Sequence, residues 1–210
     1  MVKVKICGIT NLEDALGSFF AGADALGFVF YKKSPRYISS RQAQNISRLL
    51  PKKILRVGVF VDEDISSVKK IARACHLDML QFHGQESIAY CHKFKGYKII
   101  KAFRIGKPAD LDKVSQYKTF AYLFDSFSNT QAGGTGNKFN WKILAQSARI
   151  EPIIFVSGGL TAGNVRQAVK LLKPDWVDVS SGLESRPGKK DQQKIKRFIQ
   201  VLNQSFGTPG

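Results

Sequence analysis

Cys7 stands two residues after Lys5 in the stretch Met1-Val-Lys-Val-Lys-Ile-Cys-Gly-Ile-Thr10. If 2–6 forms a β-strand, its side chains alternate between faces. Val2, Val4 and Ile6 then share one face, and Lys3, Lys5 and Cys7 the other. Lysine and thiol fall in line, roughly 6–7 Å apart at two residues of rise. A cation at that range lowers a thiol pKa and supplies thiolate, the form that acts as nucleophile or base. The other reading of Cys7 is a buried structural cysteine. Asp125 closes the apolar run 121–125 on the same face as Ala121 and Leu123. A carboxyl there is either a general acid or base or a cap for the loop that follows. Arg36, after Ser34-Pro35, offers a two-pronged fork for carboxylate or phosphate, or is a surface arginine. Gln81 and His83 share one face of 79–83, which suits binding more than proton transfer. Ser157-Gly158-Gly159-Leu160 and Ser180-Ser181-Gly182 place small residues where a phosphate can approach backbone N–H groups at a helix start.

These residues need strands to deliver them. Apolar runs at 2–6, 25–30, 56–61, 79–83, 98–103, 121–125, 153–157 and 176–180 read as strands. Amphipathic or capped segments at 12–21, 39–50, 64–75, 87–94, 111–117 (short and weak), 141–147, 162–172 and 191–203 read as helices. Thr10 or Asn11, Ser39 or Ser40, and Asn140 are the cap candidates, and Glu13 and Asp14 suit a helix N-terminus. Eight strand–helix units with no internal linker predict a parallel sheet, and in a short chain a closed (β/α)₈ TIM barrel. A doubly wound open sheet is the alternative, but the turn after the first strand is Cys-Gly-Ile-Thr and not GxGxxG. The residues named above then all sit at strand ends, where barrel enzymes place their chemistry, and the two small-residue loops close strands seven and eight, the usual phosphate position. Asp178 faces inward and is a structural partner for Lys5. The glycine-rich loop 131–136 next to Asp125 is either a lid that excludes water or a plain loop.

The 210 residues are 43% hydrophobic and 23% charged, an ordinary globular composition. They are expected to form one domain, 1–210. No signal-peptide h-region and no apolar run of membrane-spanning length occur, so the protein is expected to be soluble and cytoplasmic. Three cysteines make no disulfide framework. Cys75-His76, His83 and Cys91-His92 lack CxxC or HxxxH spacing, so no metal is expected. The 33 basic against 16 acidic residues give a net charge of +17. Such a surplus suits nucleic acid, but the basic residues are scattered and not interleaved with aromatics. A field that draws in a small anionic substrate is the better reading. No nucleic-acid or membrane partner is expected, and the chain is expected to act as a monomer or homodimer.

KICGIT at 5–10, LGFVFYKKSPRYIS at 26–39, VGVFV at 57–61, LQFHG at 80–84, LFDS at 123–126, GGTGNKFNW at 133–141, SGGL at 157–160 and VDVSSGLES at 177–185 together resemble the phosphoribosylanthranilate isomerase family along the whole chain. The family's usual FDW is FNW here, and Asn140 caps a helix as well as an aspartate. The resemblance implies a (β/α)₈ barrel without cofactor or metal, and an Amadori rearrangement of N-(5-phosphoribosyl)anthranilate in tryptophan biosynthesis. It further implies Cys7 as general base, Asp125 as general acid, Arg36 on the anthranilate carboxylate, and Gly158-Gly159 with Ser181-Gly182 on the phosphate. A ribose-phosphate epimerase barrel is a weaker fit, because such enzymes gather histidines and aspartates around a metal and only His83 stands at a strand end.

Overall fold

A computed structural model describes residues 1–104, 114–125 and 153–204. Eight parallel strands run β1 (Lys3–Cys7), β2 (Ala25–Val29), β3 (Leu55–Phe60), β4 (Met79–Phe82), β5 (Lys98–Arg104), β6 (Ala121–Asp125), β7 (Ile153–Ser157) and β8 (Trp176–Val179). Each pairs with its sequence neighbour, and β1 pairs with β8, which closes the barrel. The expected TIM barrel is the observed fold. Strand bounds agree with the sequence reading to within a residue or two.

Alternation sorts every strand into two faces. Val4, Ile6, Leu26, Phe28, Leu80 and Phe82 point outward into a core shared with the helices. Ala25, Val57, Met79, Ile100, Leu123 and Phe155 fill the barrel interior. Phe155 and Trp176 stack there, ring centroids 4.9 Å apart at 12°, a contact worth about 0.5–1.5 kcal/mol beyond area burial.

The helices begin where capping chemistry dictates. In α1 (Leu12–Ala21) Asn11 accepts from the Asp14 amide, and Gly22 at φ 108° ends the helix. In α2 (Ser40–Leu49) Ser39 and Gln42 form a reciprocal capping box. Asp64 caps α3 (Ile65–Ala74), and Ser87 caps α4 (Ile88–Cys91). The sequence predicted α4 over 87–94. Only four residues are α-helical, because Lys93 and Phe94 donate three residues back, to Tyr90 and Cys91, so the turn tightens and the helix ends. The fifth helix is short as expected: a 3₁₀ turn at Ser115–Tyr117 is described. The lid segment 131–136, the helix 141–147 with its Asn140 cap, and 111–113 of the fifth helix lie outside the described residues. α5 (Val165–Leu172) and α6 (Gln192–Gln204) complete the outer layer.

One element was not expected. Beyond β8 a 3₁₀ turn, Ser181–Leu183, leads into a small antiparallel hairpin, β9 (Glu184–Arg186) and β10 (Lys189–Lys190). Asp14, fully buried in the first turn of α1, anchors it. Its carboxylate accepts from the Lys190 backbone N–H at 2.8 Å and from Lys189 Nζ at 3.0 Å. The sequence reading gave Asp14 to the helix dipole alone.

Candidate active site

The C-terminal ends of the strands bring the candidate residues to one rim. Cys7 is the last residue of β1, opposite Gly27 of β2. A Cβ on Gly27 would stand 2.7 Å from Cys7 Sγ and 3.0 Å from its Cα, so glycine is what leaves room for the thiol. Val29, Val59 and Tyr31 complete its apolar surroundings. Lys5, one inward position below, is fully buried with Nζ 2.9 Å from Asp178 Oδ1, the structural pairing the sequence suggested. The sequence also predicted that this lysine would bring the thiol pKa down. Here burial dominates and pushes the Cys7 thiol up. Lys5 draws it down and Asp178 opposes, while Lys190 adds a second downward pull. The net shift is therefore upward, against the expectation from Lys5 alone.

Beside Cys7, Gly8 has φ 79°, a left-handed conformation that suits glycine. A Cβ there would stand 2.7 Å from Arg36 Cδ and 3.0 Å from Ser180 Oγ. The Arg36 stem thus crosses the backbone next to the thiol. Its head is already engaged: Nε donates to Glu184 Oε1 at 2.8 Å and Nη2 to Oε2 at 2.7 Å. Lys190 Nζ donates to the same Oε1 at 2.9 Å. One buried carboxylate thus joins two cations. Burial alone would raise the Glu184 pKa, but the bonds from Arg36 and Lys190 outweigh it and hold the carboxyl below its ordinary value. The Glu184 bond raises Arg36 in turn. A guanidinium carries five N–H donors, and the pair to Glu184 uses two, so donors remain for a ligand.

On the far arc of the rim Asp125 ends β6, opposite Ser157 at the end of β7. His83, just past β4, lies with Nε2 3.3 Å from Asp125 Oδ2. Gln81 Nε2 is 3.0 Å from His83 Nδ1. With the amide donating to Nδ1, a neutral His83 carries its proton on Nε2, aimed at the carboxylate. Gln81 is buried, and its Oε1 has no hydrogen-bond partner among the described residues. A clamp that sequence reading missed fixes this arc from outside. Lys101 and Glu86, both buried, pair at 3.1 Å. Lys101 also donates to the Phe82 and Gly84 carbonyls, and Glu86 accepts from the Gly84 and Asp62 amides. The segment that carries His83 is gripped from both sides.

The two small-residue loops also meet. Gly158 and Gly159 have φ of 95° and 62°. A Cβ on Gly182 would stand 2.0 Å from the Leu160 carbonyl oxygen, so the loops after β7 and β8 interlock only with glycine there. Asn164 braces the first loop, accepting from the Thr161 amide and donating to the Gly159 carbonyl. Among the described residues a Cβ on Gly159 would meet nothing within 4 Å. Cys75 and Cys91 are buried away from the rim with pKa values pushed up to about 11 by burial. No group of three or more His, Cys, Asp or Glu able to hold a metal occurs among the described residues. None of their helices is long and apolar enough to cross a membrane.

Comparison with known proteins fits this rim. A family model described as N-(5'phosphoribosyl)anthranilate (PRA) isomerase matches residues 4–201. The N-(5'-phosphoribosyl)anthranilate isomerase of Geobacter sp. (strain M21) is 50% identical over 199 residues, 95% of this chain and 97% of that protein. The crystal structure of phosphoribosyl anthranilate isomerase from Thermotoga maritima superposes with a TM-score of 0.91 at 43% identity, covering 97% of this chain and all of the other. A further solved isomerase, TM-score 0.89 at 42% identity and the same coverage, is in complex with reduced 1-(o-carboxyphenylamino)-1-deoxyribulose 5-phosphate. The chain belongs to the N-(5'-phosphoribosyl)anthranilate isomerase family.

Proposed function

We propose that this protein isomerises N-(5-phosphoribosyl)anthranilate to 1-(2-carboxyphenylamino)-1-deoxyribulose 5-phosphate in tryptophan biosynthesis, as one cytoplasmic barrel domain. Family membership supports the reaction. The observation that carries the residue roles is the shared rim: a thiol ending β1 and a carboxyl ending β6, with a cationic fork and a paired glycine cradle between and beside them.

Asp125, as the acid, protonates the ribose ring oxygen and opens the aminal to a Schiff base. Cys7, as thiolate, then takes the C2′ proton, and the resulting enolamine tautomerises to the ketone. Each such step is worth on the order of 10²–10⁴-fold. Arg36 receives the anthranilate carboxylate with the donors Glu184 leaves. Gly158, Gly159, Ser181 and Gly182 cradle the phosphate through backbone N–H groups. Gln81 and His83 line the acid's side, where His83 hydrogen-bonds the Asp125 carboxyl.

The test is loss of anthranilate-type fluorescence when phosphoribosylanthranilate made in situ meets the protein. Turnover by the wild type, with falls of about 10²-fold or more in Cys7→Ala and Asp125→Ala, supports reaction and roles together. A folded wild type that leaves the signal unchanged overturns the substrate assignment.

A further inference from the structure

The Cys7 arc holds a buried cation that this mechanism does not use. We propose that Lys190 is a positioning residue that favours the base form of Cys7, held in place by Glu184 and Ser180; this rests on the reading of Cys7 as the base. The Lys190 side chain is fully buried. Its Nζ lies 2.9 Å from Glu184 Oε1, 3.3 Å from the Ser180 carbonyl and 3.5 Å from Ser180 Oγ. Ser180 Oγ in turn stands against Gly8, the residue after Cys7. The buried Asp14 carboxylate fixes the Lys190 backbone, so the ammonium is aimed by main chain and side chain together.

The charges around the thiol explain what this cation does. Lys5 acts on Cys7 from its own strand, Asp178 from β8, Arg36 from the loop after β2 and Lys190 from the hairpin, with Glu184 behind the last two. Lys5 is matched by Asp178 at 2.9 Å, and Glu184 must serve both Arg36 and Lys190. Among the described residues these three cations face two carboxylates, an excess of one positive charge that a thiolate balances. Burial works against any charge here, so removal of one cation moves the thiol further from its base form.

Alkylation of Cys7 by iodoacetamide reports its thiolate directly. Ligand-free intact protein is treated across pH and the Cys7 peptide quantified by mass spectrometry; alkylation of Cys75 or Cys91 falls on other peptides and is counted separately. Lys190→Met is expected to move the midpoint up by about one pH unit, about tenfold slower alkylation at a fixed pH below it. Lys190→Arg brings it back. Glu184→Gln moves it the opposite way, because Arg36 and Lys190 both lose their counter-charge. An unchanged midpoint in Lys190→Met, or an upward move in Glu184→Gln, overturns the proposal. If Lys190→Met does not fold, Lys190→Gln, which removes the charge but keeps a hydrogen-bonding side chain, gives the same reading, and an unchanged midpoint there overturns the proposal. Because the readout needs no substrate, a wild type inactive on phosphoribosylanthranilate removes the proposed reaction and leaves the alkylation result to judge Lys190 separately.

Discussion

The two arcs of the rim solve opposite electrostatic problems. Around Cys7 the described partners are fixed charges: Lys5 with Asp178, and Arg36 and Lys190 on Glu184. Against Asp125 stands an imidazole backed by an amide, His83 and Gln81. The ion pair on that arc, Lys101 with Glu86, lies on the outward face of β5, against the Phe103 and Tyr117 rings. A base must hold an anion in a buried place, and nearby cations help it do so. An acid must hold a proton, and a fixed cation in contact would strip it. Under the proposed roles, one barrel mouth sets fixed charges around the group that takes a proton and an imidazole against the group that gives one.

The strongest way to break this contrast is to remove its endpoints. Cys7→Ala and Asp125→Ala are each expected to lower kcat/KM by about 10²-fold or more, read from fluorescence progress curves. A Cys7→Ala enzyme near wild-type rate would leave the charged arc without a purpose. Next in size is Lys5→Met, which strands the Asp178 carboxylate in the barrel interior. Loss of one partner of a buried pair costs about 3–5 kcal/mol, measurable by urea unfolding, and Lys5→Met with Asp178→Leu should recover much of it. On the polar arc, His83→Ala removes one hydrogen bond from Asp125. About 0.5–1.5 kcal/mol, at most roughly tenfold in kcat, is expected, with KM little changed. A hundredfold loss would give His83 a larger part than support of the carboxyl.

Glu184 sharpens the contrast through pH. Its folded pKa is depressed, so the stability it contributes is complete above the unfolded value of about 4.3 and is lost as pH falls through the folded value. Acid unfolding should therefore show a step below about pH 4.3 in wild type that Glu184→Gln lacks, followed by circular dichroism. The smallest effect belongs to the surplus charge. If the +17 net charge steers a trianionic substrate, kcat/KM should fall severalfold or less as salt rises through ~0.15 M while kcat holds. A flat salt dependence would assign the charge another cause.

What the sequence made legible follows from local rules. Strand alternation alone placed Lys5, Cys7, Asp125 and Asp178 on inner faces, and cap chemistry placed the starts of α1 and α2. Among the described residues, the KICG, SGGL and SSG stretches stand at strand ends. What stayed hidden is long-range or two-body. Glu184 and Arg36 are 148 positions apart, and no periodicity announces a pair of that span. Lys101 sits at an outward strand position where a lysine ordinarily snorkels to water, so its burial against Glu86 gives no local sign. The hairpin consists of strands of three and two residues, below the length at which alternation can be read. A lone glutamate in the basic stretch Glu184-Ser-Arg-Pro-Gly-Lys-Lys190 was the available hint.

Closure of the barrel by β1 against β8 has a consequence in time. Cys7 is made well ahead of Asp178, Glu184 and Lys190, which lie about 170–180 positions further along the chain. At about 5–20 residues per second, roughly ten to forty seconds separate the Cys7 thiol from the charges that surround it. Until then Lys5 has no carboxylate to meet and β1 presents an open edge. The nascent polypeptide carries its reactive thiol in an ordinary aqueous setting, and the enzyme comes into being only when the last strand docks on the first.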